Sequence, residues 1–460
     1  MMNSRSETLA EDALLRVAPS SPATHTSTQF ILADADSFFA SCERVVDPRL
    51  YKRPVVVLSN NDGCVVARSF EAKRLGIPEG IAWFKIREKA TQQGVIACSS
   101  NYELYASLST RMMHIMSTFF PEQHVYSIDE CFFRVKEDVT LIVEKSTQMR
   151  EAVWRGLGLP ISIGIAPTCT LAKVVSHWSK HHLGVRGIMS WDEAVRVDPH
   201  FLKHVSVRDI WGVGRRLAPK LMSMGITTAA DLRDSDPVLI RKKFRVNLQQ
   251  TVLELRGIPC HTFDEDDNAL DGKRTTQIMC SRMFSHPIRD AEGLRQAISV
   301  YAQKATNRLN RQSSLCSSVS VFCSTSRFNT SDIPSHIHGL GTFEPTNDPL
   351  IIAKSAYQCI EKDIVPSAPY VRAGVVLQGL IDADSYRPLD VFEAQYDKGI
   401  NEVLETARQR FGSFRVGIGY GGIRGKGRTN ADTGASWTMK RARLSPRATT
   451  CWSEMLTVKA

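Results

Sequence analysis

This chain of 460 residues lacks the features that would tie it to a membrane, a disulfide frame or a zinc site. No apolar run approaches the roughly 20 residues of a membrane span, and no positively charged segment leads into an apolar signal core. Its eleven cysteines are scattered, with no CxxC pair and no regular ladder. That pattern fits reduced thiols in a cytosol, most of them small core residues. Acidic residues are the minority, 48 Asp and Glu against 58 Lys and Arg, and the resulting charge of +10 favours a polyanionic partner. No repeat of solenoid type is present. What remains, 43% hydrophobic and 23% charged residues, describes a soluble globular protein long enough for roughly three domains.

The organisation is legible from pattern changes. Residues 1–28 are polar and rich in Ser and Thr, which predicts a flexible extension with LAEDALLRV as a candidate short helix; the acidic residues argue against an organellar transit peptide. FILADADSFFASCE then opens with a short apolar strand that runs into Asp34 and Asp36. RPVVVLSNNDGCVVARSFEAKRLG predicts strand, Asn-Asp-Gly turn, strand and helix. NYELYASLSTRMMHIMSTFF has helical spacing, YSIDECFF and LPISIGIA look like buried strands, and TLAKVVSHWSKHH looks helical. Strands alternating with helices make this region α/β or α+β. From about residue 190 the chain turns helical, EDDNALDG at 265–272 is an acidic linker candidate, and a second α+β unit follows. The segment after 386 is Gly-rich and basic and is expected to be poorly ordered in isolation.

One stretch resists a purely structural account. In YSIDECFF, Asp129 and Glu130 sit side by side among apolar residues, where two anions repel each other and resist desolvation. A hairpin tip would tolerate them; a multivalent cation would turn the repulsion into ligation. With Asp34 at the end of an earlier strand, three hard oxygen donors point to Mg²⁺ or Mn²⁺ and not zinc. Two such ions about 4 Å apart can hold a triphosphate and activate a hydroxyl for in-line displacement. On these residues alone a two-metal nuclease, a nucleotide cyclase and a DNA-binding scaffold without activity remain open. The lack of further catalytic carboxylates and His near the cluster disfavours the nuclease.

FILADADSFFASCE, PVVVLSNNDGCVVARSFEAKRLG, SSNYELYA, YSIDE and DIWGVGRR, in this order, resemble the Y-family translesion DNA polymerases, most closely the UmuC type. The resemblance runs from about Phe30 to the closing MKRARLSPRATT. It implies an α+β multidomain right hand: palm at 29–40 and 101–190, fingers at 41–100, a helical thumb at 191–262, a little finger at 272–385 and a tail at 386–460. It implies low-fidelity, template-directed nucleotidyl transfer on damaged primed DNA, in SOS repair and mutagenesis. Asp34, Asp129 and Glu130 match the catalytic ligands of two Mg²⁺ ions, with the carbonyl of Ala35 as a further ligand.

The same resemblance assigns the surroundings. Phe39 matches the steric gate that excludes a ribose 2′-hydroxyl, where many relatives carry Tyr. Phe70 and Lys73 match finger positions that usually read Tyr and Arg and touch the triphosphate of the incoming deoxynucleotide. Lys73 keeps the charge without the bidentate fork. Lys180 matches the palm lysine that neutralises the phosphates. Gly212, Gly214, Arg215 and Arg216 look like a helix-hairpin-helix gripping duplex phosphates through backbone N–H groups and charge. Leu389, Val391 and Phe392 keep the apolar anchors of a sliding-clamp peptide, in which Pro388 replaces the usual glutamine. The tail implies a processed UmuD-like dimer and a RecA filament as partners, and the whole a cytoplasmic bacterial protein, associated with the nucleoid when active.

Overall fold

The computed structural model describes residues 27–180, 187–261, 275–326, 335–386, 399–411, 416–418, 439–446 and 454–455. Eight strands precede residue 200: β1 (Gln29–Ala35), β2 (Val55–Leu58), β3 (Val65–Arg68), β4 (Ile96–Ser99), β5 (Gln123–Val125), β6 (Glu130–Val135), β7 (Ile161–Ala166) and β8 (Ile188–Ser190). Four follow: β9 (Ile278–Ile288), β10 (Ser314–Thr325), β11 (His336–Thr346) and β12 (Tyr370–Asp382). They form three sheets.

The first sheet has the order β5-β6-β1-β7-β8, with β1 antiparallel to both neighbours. Successive side chains on a strand point to opposite faces, and here both faces are covered. Ile31, Ala33 and Ala35 join one core with helices Tyr102–Ser117 and Val139–Leu157. Phe30 and Leu32 join another, against helix Cys169–Trp178 and the helical module that follows. This double covering is why β1 reads as a continuous apolar run. Alternation then assigns Asp34 to the second face, together with Glu130, its cross-strand partner. Gly164 on β7 lets the covering helix sit down, because a Cβ there would lie 2.1 Å from the Ala172 carbonyl oxygen.

YSIDECFF is only partly strand. β6 begins at Glu130, and Tyr126–Asp129 form the turn from β5. The Ser127 hydroxyl accepts from the N–H groups of Asp129 (3.2 Å) and Glu130 (3.1 Å), a local alternative to ladder pairing that the apolar flanks had concealed.

The second sheet, β3-β2-β4, packs with helix Trp83–Gln92 around its own core. Its NDG connection is a single 3₁₀ turn, Asn60–Asp62, with Asn61 and Asp62 both left-handed at φ 61° and 52°. The helical module comprises Ala218–Met222, Ala229–Asp234, Pro237–Phe244 and Val246–Leu255. It shares its core with the first sheet. The expected helix-hairpin-helix has a reduced first arm, the 3₁₀ turn Val207–Asp209. Glu254, fully buried, ties the module to helix Cys169–Trp178 by accepting from Thr170 N (2.8 Å) and Thr170 Oγ1 (2.7 Å), and it also accepts from Cys260 N (3.0 Å) and His261 N (3.2 Å).

The third sheet, β11-β10-β12-β9, is antiparallel and packs on helices Ala291–Arg311 and Pro349–Gln358. The architecture is α+β, as expected. LAEDALLRV and the EDDNALDG linker lie outside the described residues. Among the described residues no helix is long and apolar enough to cross a membrane.

Candidate active site

The carboxylates lie where β1 ends and β6 and β7 begin. Asp34 and Glu130 are opposite one another across the β1–β6 ladder, and the Ala35 N–H donates to the Asp129 carbonyl at 2.9 Å. Asp36, two residues on, accepts from Ser162 Oγ at 2.9 Å. Helix Cys169–Trp178 and its extension bring two lysines onto this group. Lys180 Nζ lies 2.5 Å from Asp34 Oδ2 and 2.9 Å from Asp36 Oδ1. Lys173 Nζ donates to Glu130 Oε1 (2.9 Å) and Oε2 (3.0 Å). Asp129 Oδ1 accepts from Ser127 Oγ at 2.6 Å.

The electrostatics are those of a crowded, half-buried acid group. Burial, opposed by Lys180 and reinforced by Glu130 and Asp36, pushes the Asp34 carboxyl up to about 6. Lys180 is held above its ordinary value: burial acts to lower it, and Asp34 and Asp36 outweigh that. Every carboxylate ligand here is a hard oxygen donor, and the Glu130 charge adds to the cost of ionising Asp34. That donor chemistry fits a divalent cation. As the side chains stand, no three candidate ligands among the described residues are gathered into a cage. Asp34, Glu130 and Asp129 are engaged instead by Lys180, Lys173 and Ser127.

The Phe39 ring stacks on Tyr105 at 4.6 Å and 16°, and meets Tyr102 edge-on at 6.0 Å. Its helix, Phe38–Val46, starts after Ser37 in the left-handed region, which turns the chain from the acidic strand end into the helix. Phe70 and Lys73 lie on the exposed side of helix Phe70–Arg74, in the β2–β4 module and not in the sheet that carries the carboxylates. Arg44 ties that helix to the Phe39 helix through Glu71 at 2.5 Å. Gly212, at φ 87°, occupies backbone space that favours glycine, and Gly214, Arg215 and Arg216 are exposed beside it. Leu389, Val391 and Phe392 lie outside the described residues.

Sequence reasoning missed Lys173, Asp36, Ser127 and Ser162. Lys173 carried a signal: it precedes Lys180 by two helical turns and so shares its face. Lys173 also lies 4.5 Å from the Tyr126 ring centroid and 5.3 Å from that of Trp211, whose indole N–H donates to Tyr126 Oη at 3.0 Å. The DIWGVGRR turn therefore reaches the Glu130 lysine directly.

Four family descriptions match the chain in succession. They are the impB/mucB/samB family at residues 33–177, the IMS family HHH motif at 197–226, the impB/mucB/samB family C-terminal domain at 275–391 and a domain of unknown function, DUF4113, at 399–458. The chain is 38% identical over 444 residues to Protein UmuC of Salmonella typhimurium, covering 94% of this chain and 100% of that protein. Protein SamB of the same organism is 37% identical, with 94% and 99% covered. DNA polymerase IV 2 of Mesorhizobium japonicum is 34% identical over 210 residues, 45% of this chain and 48% of that one. The solved Y-family DNA polymerase chimera Dbh-Dpo4(243-245)-Dbh shares the fold at a TM-score of 0.57 and 21% identity, covering 77% of this chain and 99% of that one.

Proposed function

Since this chain belongs to the impB/mucB/samB family, and with it to the Y-family DNA polymerases, we propose that Asp34, Asp129 and Glu130 carry its chemistry. The protein is a DNA-directed DNA polymerase of translesion synthesis and SOS mutagenesis, with DNA and deoxynucleoside triphosphates as partners and a dependence on divalent metal. The palm is the first sheet with its helices, the fingers the β2–β4 module, the thumb the helical module and the little finger the β9–β12 unit.

The observation that carries the site assignment is the pairing of Asp34 with Glu130 across β1 and β6, on the face that Lys173 and Lys180 cover. Asp34, Asp129, Glu130 and the Ala35 carbonyl would hold two ions, Mg²⁺ in this proposal. Bound there, the ions would activate the primer hydroxyl and offset the charge of the triphosphate. The protein's own groups do the rest. Lys180, released from Asp34 and Asp36, neutralises phosphate oxygens, and Lys173 keeps Glu130 oriented. Phe39 lies under the sugar, and Phe70 and Lys73 reach the triphosphate from the fingers. Gly212, Gly214, Arg215 and Arg216 hold duplex phosphates without reading bases. Binding of a sliding clamp through 388–392, of a processed UmuD-like dimer and of a RecA filament belongs to the same proposal.

Primer extension by Asp129→Asn and Glu130→Gln tests it. Each variant is expected to keep the wild-type melting profile and to lose incorporation by about a thousandfold or more, the scale of several kcal/mol of charge stabilisation. Near-normal incorporation by both would remove the assignment.

A further inference from the structure

The segment Met439–Pro446, within the domain of unknown function, lies against the fingers and palm. It is held mostly through its backbone. Lys440 N donates to Asn61 Oδ1 (2.8 Å), Ala442 N to Asp62 Oδ2 (3.1 Å) and Arg443 N to Ser99 Oγ (2.9 Å), while Ser99 N donates back to the Arg443 carbonyl (2.9 Å). Asn101 Nδ2 donates to Ser445 Oγ at 2.9 Å, and Arg441 pairs with Glu103 at 3.0 Å. The two acceptors on the fingers, Asn61 and Asp62, are the left-handed residues of the 3₁₀ turn. Asn61 also donates to the carbonyls of Met283 and Phe284 in β9. One strained turn thus joins fingers, little finger and tail, beside an open cleft of about 600 Å³ lined by Tyr102, Glu103, Arg282 and Arg441.

Glu43, on the Phe39 helix, is fully buried, and Tyr105 Oη donates to its Oε1 at 2.5 Å. Its other oxygen, Oε2, is buried without a well-formed hydrogen bond. Burial raises the pKa of this carboxylate, and Tyr105, Ser445 and Cys98 oppose the rise. Tyr105 is the ring on which Phe39 stacks. Asn101, which donates to Ser445 Oγ, accepts from Leu104 N at 3.3 Å and through its carbonyl from Tyr105 N at 3.0 Å, so a continuous path runs from Ser445 through Asn101 and the helix start that it caps to Tyr105 and Phe39.

We propose that Met439–Pro446 is a strap in cis and Ser445 a positioning residue, which together hold the Tyr105–Phe39 stack and the Asn60–Gly63 turn in place and so set discrimination against ribonucleotides. The proposal rests on Phe39 being the sugar gate. A buried polar group needs its partners to keep one geometry. With the Ser445 hydroxyl absent, the buried Asn101 amide loses that acceptor, and the helix start that Asn101 caps no longer holds Tyr105 in its fixed place under Phe39.

The test uses the full-length chain with Ser445→Ala, Ser445→Thr, Arg443→Pro and Phe39→Ala. The ratio of ribonucleotide to deoxynucleotide incorporation efficiency is measured together with peptide-level amide exchange. Ser445→Ala is expected to raise the ratio about fivefold, the scale of one net hydrogen bond, with unchanged melting and with Ser445→Thr restoring it. Arg443→Pro, which deletes the N–H given to Ser99, is expected to speed exchange in the 60–63 turn and at 99–104. A flat ratio for Ser445→Ala beside a raised ratio for Phe39→Ala overturns the strap. A flat ratio for both overturns the gate reading instead. Exchange unaltered by Arg443→Pro overturns the docking itself.

Discussion

Replacing Asp34 by Asn should stabilise the metal-free protein while abolishing its activity. Asp34 is opposite Glu130 and near Asp36, with Lys180 as its counter-ion and its side chain about 26% exposed. Its folded pKa of about 6 stands above the ordinary 3.8. The folded state therefore binds a proton that the unfolded chain has already released between pH 4 and 6. Stability from this group is greatest below pH 4, falls as pH rises through 6 and is flat thereafter. About two pKa units at ~1.4 kcal/mol each give about 3 kcal/mol, or about 2 after partial solvent screening. Asn cannot ionise and escapes the cost. In chelator-treated samples the variant should match wild type near pH 4 and melt roughly 4–8 °C higher at pH 7.5. Primer extension should meanwhile be lost. A variant that melts lower at pH 7.5, or a gap that is the same at pH 5 and pH 8, would refute the reasoning, because either result means that ionised Asp34 is not disfavoured in the fold.

Three other outcomes follow from packing and charge. Gly164→Ala drives a Cβ into the Ala172 carbonyl and lifts the helix that carries Lys173 and Lys180, so it should cost at least about 2 kcal/mol in thermal denaturation and reduce incorporation. Glu254→Ala strands the N–H groups of Thr170, Cys260 and His261, and should cost about 3 kcal/mol or more by urea titration. Arg215→Ala with Arg216→Ala should weaken duplex binding equally for all sequences and make the slope of log K against log salt shallower by about 2.

The sequence was readable where a local pattern had a single physical solution. β1 and β7 announced themselves as apolar runs because both faces of the sheet are covered. The order of acidic motifs pointed to Asp34, Asp129 and Glu130, and the ladder makes Asp34 and Glu130 cross-strand partners. YSIDECFF misled because its flanking apolar residues mimic a strand, whereas the Ser127 hydroxyl takes the backbone donors and makes a turn. Lys173 was passed over because a lysine on a helix is ordinarily solvated, and only the sheet beneath it supplies Glu130. The tail was expected to be loose, and its backbone bonds to Asn61, Asp62 and Ser99 reach across more than 300 residues, beyond any local signal.

Sequence by itself determined the α+β architecture, the order of its modules and the residue types of the acidic cluster, since periodicity and motif spacing are properties of the chain alone. Tertiary structure decided which cation faces which carboxylate, how far Asp34 resists ionisation, and that Ser445 meets Asn101 at the start of the helix behind Phe39. Those facts depend on desolvation and on approach between distant segments, and neither exists until the chain has packed.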